Sequence, residues 1–284
     1  MKIKFLGTAA AEGMPALFCN CITCEKARKM AGKNIRTRSQ ILVNDNLLLD
    51  FPPDSYFHAI TNSLDFSKIK YLFITHAHPD HCIPTEFALR VAPHAHRLKE
   101  PLLHIYGNET VINNIKTCIP SEKQHGIKLQ KMTPFQQVKI AGITVTALPA
   151  EHEKNTHETD RERCFIYLLE DGKNTFLQFH DSGILPDAVY TYLKSRKVKI
   201  DCIAFDCTFG FIKKGPARHM GYFDTVEEKE RMNKFGILNP HCKYILTHFS
   251  HNCGLLHLEM ETKVENDKKG FLVAYDGMEV VLKN

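Results

Sequence analysis

The sequence predicts a layered α/β protein. Short apolar runs such as residues 200–205 indicate buried strands, and amphipathic stretches such as 109–118 indicate helices between them. Turn signals that typify hairpins lie at 44–46 and, most clearly, at 171–174. Both halves of the chain are rich in strands and close with helices, an alternation that favours helices packed on sheets.

In chain order, the predicted strands are residues 2–6, 39–43, 47–51, 69–74, 102–106, 126–148 with a turn at Gly142, 164–170, 175–179, 200–205 and 243–246. The predicted helices are 25–30, 52–60, 84–91, 109–118, 185–195 and 224–235, the last one capped by Asp224 with Glu227 three residues on. Residues 271–275 and 278–282 predict a closing hairpin. Because no linker or repeat divides the chain, we expect a single domain over residues 1–284.

The densest chemical signal is the segment 75–81, Thr-His-Ala-His-Pro-Asp-His, directly after a predicted strand. Imidazole and carboxylate groups suit zinc, manganese and iron. His76 and His78 alternate, so a loop leaving the strand can aim both at one point. Asp80 and His81 follow a turn and can aim at a second point. A metal site is therefore favoured over a solvated histidine-rich loop.

This His-x-His-x-Asp-His string closely resembles the signature of the metallo-β-lactamase superfamily, and the resemblance covers essentially the whole chain. It implies an αββα four-layer sandwich with metals at one edge of two facing sheets. It also implies three later ligands at strand ends, which the sequence offers as His152, Asp181 and His248. By this resemblance one metal is held by His76, His78 and His152, a second by Asp80, His81 and His248, and Asp181 bridges the two.

A second cluster of metal-binding residue types is Cys19-x-Cys21-x-x-Cys24. Three thiolates at this spacing favour zinc, and a structural tetrahedral site needs a fourth ligand. His251 is the candidate, since it follows the last predicted catalytic ligand by three residues, and Cys253 is the alternative. Three free cysteines in a surface loop remain the other interpretation.

The small-residue loop 7–13 begins with Gly7-Thr8, runs into Gly13-Met14-Pro15 and allows close backbone approach. Together with the thiolate cluster, it resembles one branch of the superfamily, that of the phosphoribosyl cyclic phosphate phosphodiesterase of the carbon–phosphorus lyase pathway. The resemblance implies a binuclear metal-dependent phosphodiesterase acting on a small cyclic phosphodiester. Its nucleophile would be a hydroxide held between two divalent metals (Mn²⁺, Zn²⁺ or iron), and one structural Zn²⁺ would complete the set, with His251 as the fourth ligand.

Rival interpretations come from other branches. A branch serving pyrroloquinoline quinone biosynthesis shares the zinc loop, but its members often lack the full ligand set that this chain carries. A non-enzymatic accessory metalloprotein of cofactor biosynthesis therefore ranks lower. Ribonuclease Z-type tRNA 3′-processing nucleases use similar ligands, yet the sequence shows no protruding basic Gly/Pro-rich arm. Thioester and lactone hydrolases of the superfamily lack the thiolate loop.

Several residues are candidates for catalysis or for supporting the ligands. Asp80 is predicted to be catalytic as well as a ligand. His219, on a Gly/Pro-flanked loop, is a candidate general acid or phosphate clamp, with a plain surface histidine as the alternative. Asp50 and Asp206 end strands and either orient a metal-bound histidine or cap a turn. His180 adjoins a predicted ligand but is expected to alternate away from it.

Composition limits the partners. The net charge of +5 mildly favours an anionic substrate and does not indicate nucleic-acid binding. No apolar run is long enough to span a bilayer, and the N-terminus lacks the features of a signal peptide. We expect a cytoplasmic protein with reduced thiols and a small phosphate-ester substrate, no membrane partner, and a homodimer as an open alternative. Loops 8–18, 153–162 and 207–222 are expected to set specificity.

Overall fold

The computed structural model describes residues 1–152, 164–213 and 218–283. Its strands are β1 (Lys2–Gly7), β2 (Gln40–Val43), β3 (Leu47–Leu49), β4 (Tyr71–Phe73), β5 (Leu103–Gly107), β6 (Ile127–Lys131), β7 (Gln137–Ile140), β8 (Ile143–Pro149), β9 (Phe165–Glu170), β10 (Thr175–Phe179), β11 (Ile200–Asp206), β12 (Leu238–Thr247), β13 (Phe271–Val273) and β14 (Glu279–Val281). Its α-helices are α1 (Ile22–Met30), α2 (Ser55–Thr61), α3 (Glu109–Cys118), α4 (Glu122–His125), α5 (Asp187–Ser195), α6 (Tyr222–Phe235) and α7 (His257–Asp267). Short 3₁₀ helices lie at Gly32–Asn34, Phe66–Lys68, Pro84–Leu89 and His251–Cys253.

The strands described form two sheets of seven. One has the order β14-β1-β2-β3-β4-β5-β6 and the other β13-β12-β11-β10-β9-β8-β7. One side of each sheet is parallel, out to an edge strand: β3 to β6 run together in the first, and β10 to β13 in the second. Parallel strands joined by helical crossovers place their carboxyl ends at one edge, which is where ligand sites form in α/β proteins.

Alternation along the strands builds the layers. Side chains of a strand point to opposite faces in turn. In β9, Phe165, Tyr167 and Leu169 enter the layer between the two sheets, whereas Ile166 and Leu168 pack on the other face. Both faces are covered, so the strand is a continuous apolar run.

Helices cover the outer face of each sheet. Val189, Tyr190 and Leu193 of α5 are fully buried against the second sheet, and Val111 and Ile115 of α3 are buried against the first. The predicted αββα four-layer arrangement is therefore confirmed. Within the described ranges, the structure contains no helix that combines the length and the apolar surface needed to cross a membrane.

The predicted closing hairpin is wrong. β13 pairs in parallel with β12 in the second sheet, whereas β14 pairs antiparallel with β1 in the first. The segment between them crosses from one sheet to the other. Asp276 holds that crossing, because its carboxylate accepts hydrogen bonds from Thr8 Oγ1 at 2.7 Å and from the Thr37 backbone N–H at 2.6 Å. An Asp-Gly turn signal is local and does not reveal which sheet receives each flanking strand.

Smaller differences concern element ends. Asp224 is not the cap of α6: the helix begins at Tyr222, and Asp224 Oδ2 accepts from the Gly221 N–H at 2.9 Å. The predicted helix at 84–91 is a 3₁₀ helix over Pro84–Leu89. The predicted strand region 126–148 divides into β6, β7 and β8. The predicted hairpins at 44–46 and 171–174 are confirmed by the antiparallel β2–β3 and β9–β10 pairs.

Candidate metal centre

The predicted catalytic ligands meet at the carboxyl-terminal edge of the two sheets. They follow β4, β8, β10 and β12, and the supporting residues Asp50 and Asp206 stand at the ends of β3 and β11. Asp50, Asp181 and His248 have positive φ angles of 66°, 56° and 60°. Left-handed backbone is uncommon outside glycine, although Asp and His tolerate it better than most residues. Each of these residues therefore turns the chain sharply where its strand ends.

The first group of donors contains His76, His78, His152 and Asp181, whose ligand atoms lie within 4.8 Å of one another. His76 Nε2 is 2.9 Å from His78 Nδ1 and 3.3 Å from Asp181 Oδ2. His152 Nδ1 is 3.0 Å from Asp181 Oδ1. Two imidazole nitrogens this close compete for a single proton, whereas a shared cation satisfies both.

The second group contains Asp80, His81, Asp181 and His248, again within 4.8 Å of one another. His81 Nε2 lies 3.1 Å from Asp80 Oδ2 and 2.9 Å from Asp181 Oδ2. His248 Nε2 lies 3.8 Å from the same Asp181 oxygen. Asp181 thus belongs to both groups, the position that the family resemblance gives to a bridging carboxylate.

Unsatisfied buried atoms test whether these residues fit a metal. His81 Nε2, His152 Nδ1, Asp181 Oδ1 and His248 Nε2 are all buried, and none of them has a hydrogen-bond partner of acceptable geometry among the described residues. Buried polar atoms normally find partners, so three such nitrogens around one carboxylate, together with an oxygen of that carboxylate, need an explanation. Within each group the ligand atoms lie within 4.8 Å of one another, so one cation per group can be contacted by all of them. Nitrogen and carboxylate oxygen are the ligands that Zn²⁺ and Mn²⁺ accept, so the residues fit.

The electrostatics of the cluster are those of opposite charges held close together in a buried site. Burial opposes ionisation of Asp181, but the neighbouring charges of His248 and His152 outweigh it and hold its pKa well below its ordinary range. Burial likewise opposes protonation of His81, but Asp80 and Asp50 raise its pKa well above the ordinary value. Asp181 is therefore ionised, which both a metal ligand and a bridging carboxylate require.

Asp206 organises the opposite side of the cluster. This buried carboxylate accepts hydrogen bonds from the backbone N–H groups of Asp181 at 2.9 Å, Thr208 at 3.0 Å and Met220 at 2.9 Å. Its Oδ2 also lies 3.4 Å from His248 Nδ1, so Nε2 is the His248 nitrogen that faces Asp181. Asp206 therefore both caps turns and orients a histidine, and the two alternatives predicted for it are not exclusive.

His219 joins the cluster from the loop before α6. Its Nδ1 lies 3.1 Å from Asp181 Oδ1 and 3.3 Å from Asp206 Oδ2. Burial disfavours the imidazolium, but the contact with Asp206 and the charge of Asp181 raise the pKa of His219 to about 9. The side chain is partly buried rather than a plain surface histidine.

His180 is the residue that sequence reasoning missed. Its ring lies on the buried side of the cluster, 5.8 Å from the His248 ring and 6.2 Å from the His81 ring, and its Nε2 is 3.8 Å from Asp50 Oδ2. The expected alternation fails because the strand ends at Phe179 and Asp181 turns with positive φ. The adjacency of a histidine to a strand-end aspartate was the only available signal.

A cavity of about 520 Å³ opens over these groups, a volume suited to a small molecule. Glu12, Phe209, Arg218, Ser250 and Asn252 contribute to its walls together with the ligand side chains. The predicted specificity loops 8–18 and 207–222 supply part of this wall. Loop 153–162 lies outside the described residues, as do residues 214–217.

The three cysteines of the second cluster lie around His251. Ligand atoms of Cys19, Cys21, Cys24 and His251 are within 4.8 Å of one another, and His251 Nδ1 lies 3.4 Å from Cys21 Sγ and 3.8 Å from Cys19 Sγ. The backbone N–H of Cys24 and the His251 imidazole lower the pKa of Cys21 to about 6, which favours the thiolate. Three thiols and an imidazole form the donor set of structural zinc, so this site also fits.

The structure distinguishes the two candidates for the fourth position. Cys253, the alternative to His251, is buried beside Gly210 and bonds to the Leu255 carbonyl oxygen at 3.8 Å. It does not belong to the group of donors around the three cysteines.

Comparison with known proteins agrees with this geometry. The family model described as the beta-lactamase superfamily domain matches residues 46–249. Coenzyme PQQ synthesis protein B from Nitrosococcus oceani is 26% identical over 320 aligned residues, covering 99% of this chain and 100% of the relative.

Two solved structures show the same fold. A diphosphatase from the PhnP family superimposes with a TM-score of 0.73 at 19% identity, over 99% of this chain and 97% of the other. Zinc-bound PqqB from Methylobacterium extorquens gives a TM-score of 0.71 at 17% identity, over 99% and 100%. The metallo-β-lactamase fold binds divalent metals, and the family match spans most of the sequence. This chain therefore belongs to the beta-lactamase superfamily, with the αββα fold of its metal-dependent members.

Proposed function

We propose that this chain is a hydrolase that uses two divalent metal ions to cleave a phosphodiester, with a small cyclic phosphodiester as its substrate. One observation carries the proposal: seven imidazole and carboxylate donors converge beneath a single cavity, and Asp181 contacts both halves of the set. In this proposal one ion is held by His76, His78 and His152, the other by Asp80, His81 and His248, and Asp181 serves both.

Two bound ions would polarise a phosphoryl oxygen and lower the pKa of a water to about 7, near neutrality. The rest of the chemistry falls to the side chains. Asp80 lines the cavity, which supports a catalytic role beside its role as a ligand. Arg218 is exposed, and it also lines the cavity beside His219. A guanidinium at this wall suits a phosphate oxygen, since its fork of N–H groups matches that geometry.

We assign His219 the role of general acid. Its Nδ1 is held between Asp206 and Asp181 at 3.3 Å and 3.1 Å, which leaves Nε2 as the nitrogen free to serve a substrate in the cavity. A proton on that nitrogen can pass to the leaving oxygen as the phosphodiester bond breaks. Asp206 would keep the ring in position throughout, because three backbone N–H groups fix its carboxylate.

The thiolate cluster would hold a structural Zn²⁺ through Cys19, Cys21, Cys24 and His251. The cluster tethers the segment 19–24 to the chain that carries His248, since His251 follows that residue by three positions. A metal at this point would therefore stabilise one wall of the catalytic site.

Hydrolysis of bis(p-nitrophenyl) phosphate by the Mn²⁺- or Zn²⁺-loaded protein tests the proposal. We expect metal-dependent turnover, and we expect His219→Gln to lower kcat about 10²- to 10⁴-fold with unchanged metal content. The matched control is His94→Gln, which makes the same change at an exposed histidine outside the ligand set. Full activity in His219→Gln would show that His219 is not the general acid. Absence of turnover in the fully metal-loaded wild-type protein would contradict the proposed phosphodiesterase activity.

A second candidate function is supported by the sequence comparison. Relatives named coenzyme PQQ synthesis protein B match 99% of the chain, which supports an accessory metalloprotein of cofactor biosynthesis. Stoichiometric metal without turnover of phosphodiesters, thioesters or lactones would favour it. Tight binding of tRNA with cleavage near its 3′ end would instead favour a nuclease of the ribonuclease Z type.

A further inference from the structure

Glu12 lies between the thiolate cluster and the catalytic cavity. Its Oε1 accepts a short hydrogen bond from Ser250 Oγ and lies 3.8 Å from His251 Nε2. The Glu12 side chain also lines the cavity, as does Ser250. One carboxylate therefore touches a wall of the catalytic site and a residue of the thiolate cluster.

The orientation of His251 places one ring nitrogen toward the cysteines and the other toward Glu12. Its Nδ1 faces the sulfur atoms of Cys21 and Cys19 at 3.4 Å and 3.8 Å. An imidazole that binds a metal through Nδ1 carries its proton on Nε2, and Nε2 is the atom on the side of Glu12. A carboxylate beside that N–H fixes the ring and raises its basicity, as partners of metal-bound histidines generally do.

Hydrogen bonds through Ser250 link Glu12 to Asn252 in the cavity wall. Ser250 Oγ donates to Glu12 and accepts from the Asn252 backbone N–H and side-chain Nδ2, both at 3.1 Å. Asn252 lines the cavity too. Glu12 is itself held in place, because the loop that carries it pairs with Phe249 through Ala10 N–H to Phe249 O at 3.0 Å.

We propose that Glu12 is a positioning residue that couples metal binding at the thiolate cluster to the shape of the catalytic cavity. With a metal on His251, the Glu12 carboxylate is held by His251 Nε2–H and Ser250 Oγ–H together, and it fixes Ser250 and Asn252 against the substrate. Without that metal, His251 is released and the wall loses its anchor. The part concerning substrate binding rests on the proposed phosphodiesterase function, whereas the part concerning metal retention does not.

The first experiment measures metal retention at the thiolate cluster. The probe is Cd²⁺, whose thiolate charge-transfer absorption reports this site directly, in competition with a chelator. We expect Glu12→Ala to weaken Cd²⁺ retention about tenfold, the effect of losing a partner of a metal-bound histidine, and the size-matched Glu12→Gln to lose part of that affinity. Glu25→Gln is the control, since it removes an exposed carboxylate from the first turn of α1, beside the cysteines. Retention equal to wild type in Glu12→Ala overturns the proposal.

The second experiment is a double-mutant cycle between Glu12 and Cys21, read as KM and kcat for bis(p-nitrophenyl) phosphate. We expect Cys21→Ser to raise KM with kcat unchanged, and to raise it no further in the Glu12→Ala background. Independent, additive effects on KM would mean that Glu12 binds substrate directly, and the coupling is then wrong. If the wild-type protein shows no turnover, the proposed function fails, and the Cd²⁺ measurement alone decides the role of Glu12.

Discussion

Asp50 and His81 form a fully buried contact behind the candidate metal centre. Asp50 Oδ2 lies 2.8 Å from His81 Nδ1, and Asp50 Oδ1 accepts from the Thr75 backbone N–H, also at 2.8 Å. The first contact leaves His81 Nε2 as the nitrogen that faces Asp80 and Asp181. The second fixes the start of the ligand loop. Asp50 therefore does both things predicted for it as alternatives, orienting a histidine and capping a turn.

Replacing Asp50 should weaken the catalytic metal site without removing a ligand. In Asp50→Asn the amide NH₂ must face either His81 Nδ1–H or the Thr75 N–H, so one of two buried donors loses its acceptor. We expect a 10- to 100-fold loss of Mn²⁺ or Zn²⁺ affinity, measured by competition with a chelating dye. Asp45→Asn is the control, since Asp45 lies in the β2–β3 turn and is largely exposed. Unchanged affinity in Asp50→Asn would show that His81 needs no anchor.

The two candidate metal sites should empty independently of each other. We expect about three metals per purified chain, as a pair of catalytic ions and one structural zinc require. His76→Ala removes a donor of the catalytic group only, and should leave one tightly held zinc. Cys21→Ser should release that zinc and keep most of the catalytic metal. Elemental analysis of the purified variants measures both results. If one zinc per chain is found in wild type and His76→Ala alike, the dinuclear site is wrong.

The first four ligands could be predicted from the sequence because they form one local pattern. His76, His78, Asp80 and His81 are adjacent in the sequence, and an apolar run before them indicates the strand they leave. Their distant partners were reached through a family resemblance, since no local pattern pairs His152 with residue 76.

Contacts set by tertiary position could not be predicted. His180 lies against Asp50 only because two different sheets bring β3 and β10 to the same edge. Asp276 likewise looks like a hairpin residue in the sequence, but in the fold it anchors the crossing between sheets through Thr8 and Thr37. In both cases the partner is far away along the chain, and pattern analysis of a single segment carries no information on it.

Any side chain at Gly7 should destabilise the fold, because the backbone of the neighbouring strand approaches this residue closely. A Cβ added at Gly7 would overlap the carbonyl oxygen of Arg38 and come within 2.9 Å of the carbonyl oxygen of Thr37. Both obstacles are backbone, so the β1–β2 pairing must shift. We expect Gly7→Ala to lower the free energy of unfolding by about 3 kcal/mol in urea titrations, the upper range for overpacking.

Gly142→Ala is the comparison for Gly7→Ala. Nothing lies within 4 Å of a Cβ added at Gly142, but its φ is +80°. The expected loss there is only about 1 kcal/mol, the cost of a left-handed conformation for an L-residue. Equal losses of unfolding free energy in the two variants would mean that the β1–β2 pair accommodates a Cβ at Gly7 at little cost.

His58 should make the fold sensitive to acid. The side chain is 1% exposed, with Nδ1 2.7 Å from Gln40 Oε1 and Nε2 2.6 Å from Thr37 Oγ1. Burial lowers the pKa of His58 from 6.5 to about 4, although the charge of Asp54 opposes the shift. Between pH 6.5 and 4, His58 is therefore protonated in the unfolded chain but neutral in the folded chain. Stability from this group is complete above pH 6.5 and is lost as the pH falls through that window.

We expect the free energy of unfolding of wild type, relative to His58→Gln, to fall by about 3 kcal/mol between pH 7 and pH 4. Urea titrations with a chelator present measure this, since the chelator removes the contribution of metal binding from both proteins. Burial raises the pKa of Asp276, across Thr37, to about 6, but this group titrates in both proteins and its contribution cancels in the difference. His94→Gln, at an exposed position, should run parallel to wild type. If the His58→Gln profile also runs parallel, His58 takes up its proton in the folded state, with Gln40 Oε1 and Thr37 Oγ1 as the acceptors of its two N–H groups.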